Sequence, residues 1–193
     1  YDPITNADTL AQAKQLIEQD ADAVTRRILS NEPSTATDNA AGMLLVQRAQ
    51  EAGDYSKAVD LVESLAKKAT EQGQSIQALS MWGRLTPEGM LRYGQKVIDQ
   101  ANQQNKRMGG AAQRFKMTAD TAEKITTYMK QADGLEGRAK DIKTAQALDE
   151  IAGQVHPSIL RKISTFQTIM QLLNQKTGIR NIVGNLGFQG LEN

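Results

Sequence analysis

The chain contains no cysteine, which excludes disulfide staples and thiolate metal sites together. Its one histidine, His156, leaves no pair of imidazoles for a zinc site. Aromatic residues make up 4% of the sequence and apolar residues 39%, so a core must come from Leu, Ile, Val, Met and Ala. That composition suits helix-on-helix packing and suits a β-sandwich poorly. No apolar run approaches the ~20 residues that span a bilayer, and no secretory pattern opens the chain. No membrane partner is therefore expected. The ends, Tyr1-Asp2-Pro3 and Gln189-Gly190-Leu191-Glu192-Asn193, read as the edges of a fragment of something longer.

What is present is helical punctuation. At 193 residues the chain is long enough for one large domain or two small ones. Its centre runs from Gly42 to Asn102, with stop signals at Gly53-Asp54, Gly73 and Thr86-Pro87. Met43 and Val46 begin one apolar face. Tyr55, Ala58, Val59, Val62, Leu65 and Ala66 recur at intervals of three and four and make the next. A link as short as Gly53-Asp54 turns these two helices antiparallel. Gly53 is expected to adopt a left-handed C-cap and Asp54 to cap the following helix. Trp82, among Met81, Leu85 and Met90, is expected to be a buried packing anchor. Thr86-Pro87 is a helix start, since proline at the first position gives up no intrahelical hydrogen bond.

Upstream, Asp8 or Thr9 can cap a helix to Leu29 with Leu10, Ala13, Ile17, Ala21, Val24 and Ile28 in its stripe, and Ser34 or Thr35 can cap the next. A shorter helix follows through Ile76, Leu79 and Trp82. Downstream, helices are expected over 118–134 and 139–151, from Ser158 to Leu173, and over 177–186. The expected fold is all-α, a multi-helix bundle of about seven to nine helices with antiparallel hairpins. The expected organisation is an N-terminal helical part over 1–105, a flexible basic connection over 106–117, and a C-terminal helical part over 118–193.

Net charge is +1, unevenly placed. Residues 1–64 carry 5 Lys/Arg against 11 Asp/Glu, a balance of −6, and residues 65–193 carry 18 against 11, a balance of +7. The asymmetry points either to an acidic partner for the second half or to ordinary variation of helix surfaces. Lys106, Arg107, Arg114 and Lys116 flank Gly109-Gly110 and form the candidate binding loop. Glycines there would let backbone N–H groups approach a phosphate. The spacing GxxxxGK[ST] is missing and no strand precedes it, so it is not a P-loop; the alternative is a solvated loop. His156, before Pro157, reads as a turn residue. No set of side chains asks for catalysis, a metal or a cofactor, and the chain is expected to be non-enzymatic.

The Met43–Ala66 hairpin resembles a tetratricopeptide repeat at Ala49, Gly53-Asp54-Tyr55 and Lys57-Ala58-Val59. It occurs once, whereas an array needs about three units to bury a continuous core, so a lone hairpin within a bundle is the competing reading. Three further stretches carry a wider resemblance. They are Tyr1-Asp2-Pro3-Ile4-Thr5-Asn6; Gly73-Gln74-Ser75-Ile76-Gln77-Ala78-Leu79-Ser80-Met81-Trp82 with Leu85-Thr86-Pro87-Glu88-Gly89; and Leu172-Leu173-Asn174 with Lys176-Thr177 and Ile179-Arg180-Asn181-Ile182-Val183-Gly184-Asn185. Together they resemble a helical segment of very large proteins of tailed phages and prophages, which are described as structural or as polyvalent proteins delivered with phage DNA. The resemblance implies a scaffold or interaction module, located in the host cytoplasm or the virion, with no catalytic residues to carry over. Its partner would be another protein or another part of the parent chain. Separately, Met43, Met81, Met90, Met108, Met117, Met129 and Met170 give adaptable apolar surface for binding, although most of the seven read better as core filler. The alternative is a nucleic-acid-contacting module using the basic second half.

Overall fold

Asn6, not Asp8 or Thr9, caps the first helix: its Oδ1 accepts the N–H groups of Asp8 and Thr9, both at 3.1 Å. The computed structural model describes residues 6–167. Among these the protein is all-α, with helices α1 (Ala7–Leu29), α2 (Ala36–Glu51), α3 (Tyr55–Glu71), α4 (Ser75–Trp82), α5 (Pro87–Arg107), α6 (Ala119–Asp133), α7 (Gly137–Ala152) and α8 (Pro157–Leu160). No described helix is long and apolar enough to cross a membrane. Two compact units emerge, Tyr1–Gly89 and Met90–Asn193. The division falls inside α5, not in the 106–117 stretch.

In the first unit each helix packs on its successor, and α1 also reaches α3. The links explain the order. Gly53 takes φ +75°, and the N–H groups of Gly53 and Asp54 turn back to the carbonyls of Gln50 and Ala49 at 3.0 and 2.8 Å. Only glycine adopts that conformation without strain, and the two bonds satisfy carbonyls that the ending helix leaves open. Asp54 Oδ1 then accepts from the Lys57 N–H at 3.0 Å and starts α3. Twenty residues on, Gly73 and Gln74 repeat the same pair of bonds to Thr70 and Ala69. At the start of α5 the Gly89 N–H donates to Thr86 Oγ1 at 3.2 Å, with Pro87 as the first helical residue. Gln50 of α2 holds the link before it, accepting from the Thr86 N–H at 2.7 Å and donating to the Arg84 carbonyl at 3.2 Å.

A polar knot joins α1, α2 and α3. Thr35 and Asp38 form a reciprocal capping box at the start of α2, and the Arg27 guanidinium pairs with the buried Asp38 carboxylate. The carbonyls of Arg27 and Ile28, at the end of α1, receive Lys68 Nζ at 3.2 Å and Ser64 Oγ at 2.6 Å from α3. Beside the knot, Gly42 lets α2 close on its neighbours. A Cβ there would lie 2.6 Å from Leu65 Cδ1 and 3.2 Å from Ile28 Cδ1. Trp82 is fully buried, as are Leu61, Leu65 and Leu79 around the same core.

Three local expectations change. α1 is kinked: Asp20 leaves helical geometry at φ −160° and ψ 89°, and its carboxylate caps the resumed helix through the Ala23 N–H at 2.9 Å. Ile76 faces outward, 63% exposed, because α4 is only two turns long and turns Ala78, Leu79 and Trp82 to the core instead. The apolar helix expected over 158–173 stops at Leu160 and helical residues resume at Ser164. Residues 168–173, the helix expected over 177–186, and the block from Leu172 to Asn185 lie outside the described residues.

In the second unit α6 packs on α7. Tyr93, Val97 and Ile98 of α5, Ile125 and Met129 of α6, Leu148 and Ile151 of α7, and Phe166 are buried. The Tyr93 hydroxyl donates to the Thr165 carbonyl at 3.4 Å.

Trp82→Ala should destabilise the first unit by about 3–5 kcal/mol, as other large-to-small core changes do. Urea unfolding followed by far-UV circular dichroism checks it, together with a blue-shifted wild-type tryptophan emission.

A second outcome concerns pH. Burial alone would raise the Asp38 carboxyl, but the Thr35 backbone and side-chain hydrogen bonds and the Arg27 charge outweigh it and hold it below the ordinary carboxylate value. A group lowered in the folded state contributes fully above its unfolded value of 3.8 and loses that contribution as pH falls through its folded value. Urea midpoints read from Trp82 fluorescence should therefore fall between about pH 5 and pH 2. Asp38→Asn should lower the midpoint at neutral pH and flatten that fall.

Candidate functional site

The expected basic loop is built on the end of α5. Lys106 and Arg107 occupy the last turn, exposed, where their charge suits the negative end of the helix dipole. The helix then closes through Gly109 N–H to the Lys106 carbonyl at 3.0 Å and Gly110 N–H to the Asn105 carbonyl at 2.9 Å. These bonds correct one expectation. Both glycine N–H groups are already donated within the turn, so they do not form a backbone cradle for phosphate.

The stretch 106–117 is also tied down along its length, which corrects its reading as a flexible connection. Asn102 Nδ2 donates to the Phe115 carbonyl at 2.9 Å, and its Oδ1 accepts the Phe115 N–H at 2.8 Å. Buried Asn105 donates to the Ala111 carbonyl at 2.8 Å. The Phe115 ring is buried between these ties and gives the loop an apolar foot. Arg114 rests on that foot, its guanidinium carbon 5.4 Å from the ring centroid and Nη1 3.5 Å from Asn105 Oδ1. Lys116 is exposed on the other side of Phe115.

A second segment meets this loop. His156 caps α8 through Nδ1, which accepts the Ser158 N–H at 3.3 Å and lies 2.8 Å from Ser158 Oγ. This fits its reading as a turn residue and also places it in a groove. Asn105, Met108, Arg114, His156, Ser158 and Ile159 line a groove of about 340 Å³, with Gly109 and Gly110 at its edge. Lys162 Nζ sits 3.6 Å from Met108 Sδ, which brings a further cation to the rim. None of the lining residues is acidic. No acidic residue stands between Asp99 and Asp120, or from Ile151 to Gln167. Among the described residues, Lys106, Arg107, Arg114, Lys116, Arg161 and Lys162 form no salt bridge.

Of the seven methionines, Met43, Met81, Met90 and Met129 are buried, so they fill the core instead of offering apolar surface. Met108 is 52% exposed and is the methionine that reaches a groove; Met170 lies outside the described residues. Trp82, Gly53, Asp54 and Pro87 hold the first unit together and touch no groove described here. A larger groove, about 640 Å³, lies in the first unit against Gln12, Gln15 and Gln19. Its two charged residues, Arg27 and Asp38, are paired with each other, so it offers amides and no net charge. No group of three or more metal-ligating side chains occurs among the described residues.

No known protein family, curated protein or solved structure matches the chain.

The segment 151–167 was missed by sequence reasoning. Its signals were a Pro-bounded cap at His156-Pro157, an acid-free run, and Arg161-Lys162. Their convergence on a loop some forty residues earlier is a tertiary fact.

If the asparagine ties order the loop, Asn102→Ala should speed tryptic cleavage after Lys106, Arg107, Arg114 and Lys116 several-fold and leave cleavage in α3 unchanged. Limited proteolysis read by mass spectrometry measures both.

Proposed function

We propose that the chain is a non-enzymatic helical interaction module whose contact surface is the basic groove of the second unit, and whose partner is the phosphate backbone of a nucleic acid. The observation that carries this reading is the meeting of two acid-free stretches, 105–114 and 156–159, at one groove that takes Arg114 in its lining and has Lys162 against Met108. Cations grouped without carboxylate partners keep their full attraction for a polyanion, and binding gains free energy from the counterions released. The asparagine ties favour the same reading, because a loop already held in place loses little entropy on binding.

The sequence resemblance to large phage proteins supports the non-enzymatic module and leaves its partner open. On that reading the module works in the host cytoplasm or the virion, as part of a larger protein. A protein partner held on exposed apolar surface is the second reading. It rests on Leu29, Ile76 and Met108, the exposed large apolar side chains among the described residues, which lie far apart in the sequence.

Replacing Lys106, Arg107, Arg114 and Lys116 together by Ala decides between them. Wild-type affinity for DNA should fall about 10³-fold between 50 and 200 mM salt if six phosphate contacts form. The quadruple variant should lose most binding at the lower salt and show a much flatter salt dependence. Electrophoretic mobility shift at both salt concentrations measures this. Absence of salt-sensitive DNA binding by the wild type would overturn the proposal in favour of the protein partner.

A further inference from the structure

Resting on the nucleic-acid reading above, we infer that the groove between the Met108–Arg114 turn and the His156–Ile159 segment seats one unstacked nucleotide, which makes the module selective for single strands over duplex. The groove is concave and, at about 340 Å³, falls at the small end of ligand-sized pockets. A duplex hides its base faces in the stack and presents a convex rod of phosphates. A single strand can splay one base into a concavity.

The chemistry of the lining matches that occupant better than it matches phosphate alone. A site for phosphate alone would offer donors throughout, yet here the glycine N–H groups are spent within the turn and part of the lining is apolar, from Met108 and Ile159. Opposite kinds of surface are what a nucleobase requires: apolar contact for its faces and polar groups for its edge. His156 and Ser158 supply polar groups in the same groove, while Asn105 is committed to Ala111 and Arg114 and serves to hold the loop.

Arg114 is the central residue. Its guanidinium carbon lies 5.4 Å from the Phe115 ring centroid and its Nη1 3.5 Å from Asn105 Oδ1, contacts that bias its pose towards the groove it lines. A planar guanidinium stacks on a base, and a lysine ammonium at the same place cannot. Lys162, at the rim beside Met108, and the exposed Lys106 and Arg107 remain for the phosphates on either side. Arg114 thus acts chiefly as a stacking surface, while its exposed neighbours act as charges.

Fluorescence anisotropy of the intact chain with three labelled probes tests this: an oligothymidylate, a duplex of equal length, and an abasic single strand of equal length. The oligothymidylate should bind about tenfold or more tighter than either of the others. Arg114→Lys keeps the charge and removes the plane. It should weaken oligothymidylate binding about tenfold, leave the slope of affinity against salt unchanged, and leave duplex binding unchanged. Lys106→Ala should do the reverse, weakening all three probes alike and lowering the slope. Equal binding of the three probes, or an Arg114→Lys variant indistinguishable from wild type, would overturn the nucleotide seat while leaving salt-dependent phosphate contact standing. No salt-dependent binding of any probe would overturn both proposals.

Discussion

Each helix in this chain must find partners for the backbone groups that its ends leave open, and most of the local design follows from that constraint. At the end of α1 the partners come from another helix, Lys68 and Ser64 of α3, and they lock α1 to α3 while Asp38 and Arg27 lock it to α2. At the ends of α2, α3 and α5 the chain supplies its own partners through a glycine turn with the same pair of bonds each time. A burial cost therefore becomes a positional specification: where a carbonyl is open, the chain must turn back or a neighbour must reach in.

The same constraint shapes the groove. After α5 the chain runs through an irregular stretch whose N–H and C=O groups have no helix to serve them. Asn102 and Asn105 take them instead, the former bonding both backbone groups of Phe115. The result is a fixed loop in a stretch whose composition favours a mobile one. Once Phe115 is buried, Arg114 gains a surface to rest on and a carboxamide beside it. Order in the loop and the pose of its arginine thus share one cause.

Much of the architecture was legible. Periodicity placed the α2–α3 hairpin, glycine placed the turn at Gly53, aspartate and threonine placed caps at Asp54 and Thr35, and composition excluded strands. The kink at Asp20 was not legible, because an aspartate within an amphipathic stripe reads as a solvated residue until it is seen to cap Ala23. The burial of Phe115 was hidden for a similar reason, since one aromatic in a polar run has no period to betray it. Six of the methionines fall among the described residues, and pattern alone could not separate the four in the core from Met108 on the surface.

By itself the sequence determined most of the helices and the list of basic residues, because both depend on neighbours within a few positions along the chain. Helix period, caps and turn residues all act over one or two turns. Only the tertiary structure decided that Lys162 lies against Met108, that His156 and Ser158 share a groove with Arg114, and that the glycine N–H groups are already committed. Those outcomes depend on how the second unit packs α6 against α7 and buries Phe115 and Phe166. A site made by residues fifty positions apart is fixed by the burial of apolar side chains, which is non-directional and leaves no short-range mark in the sequence.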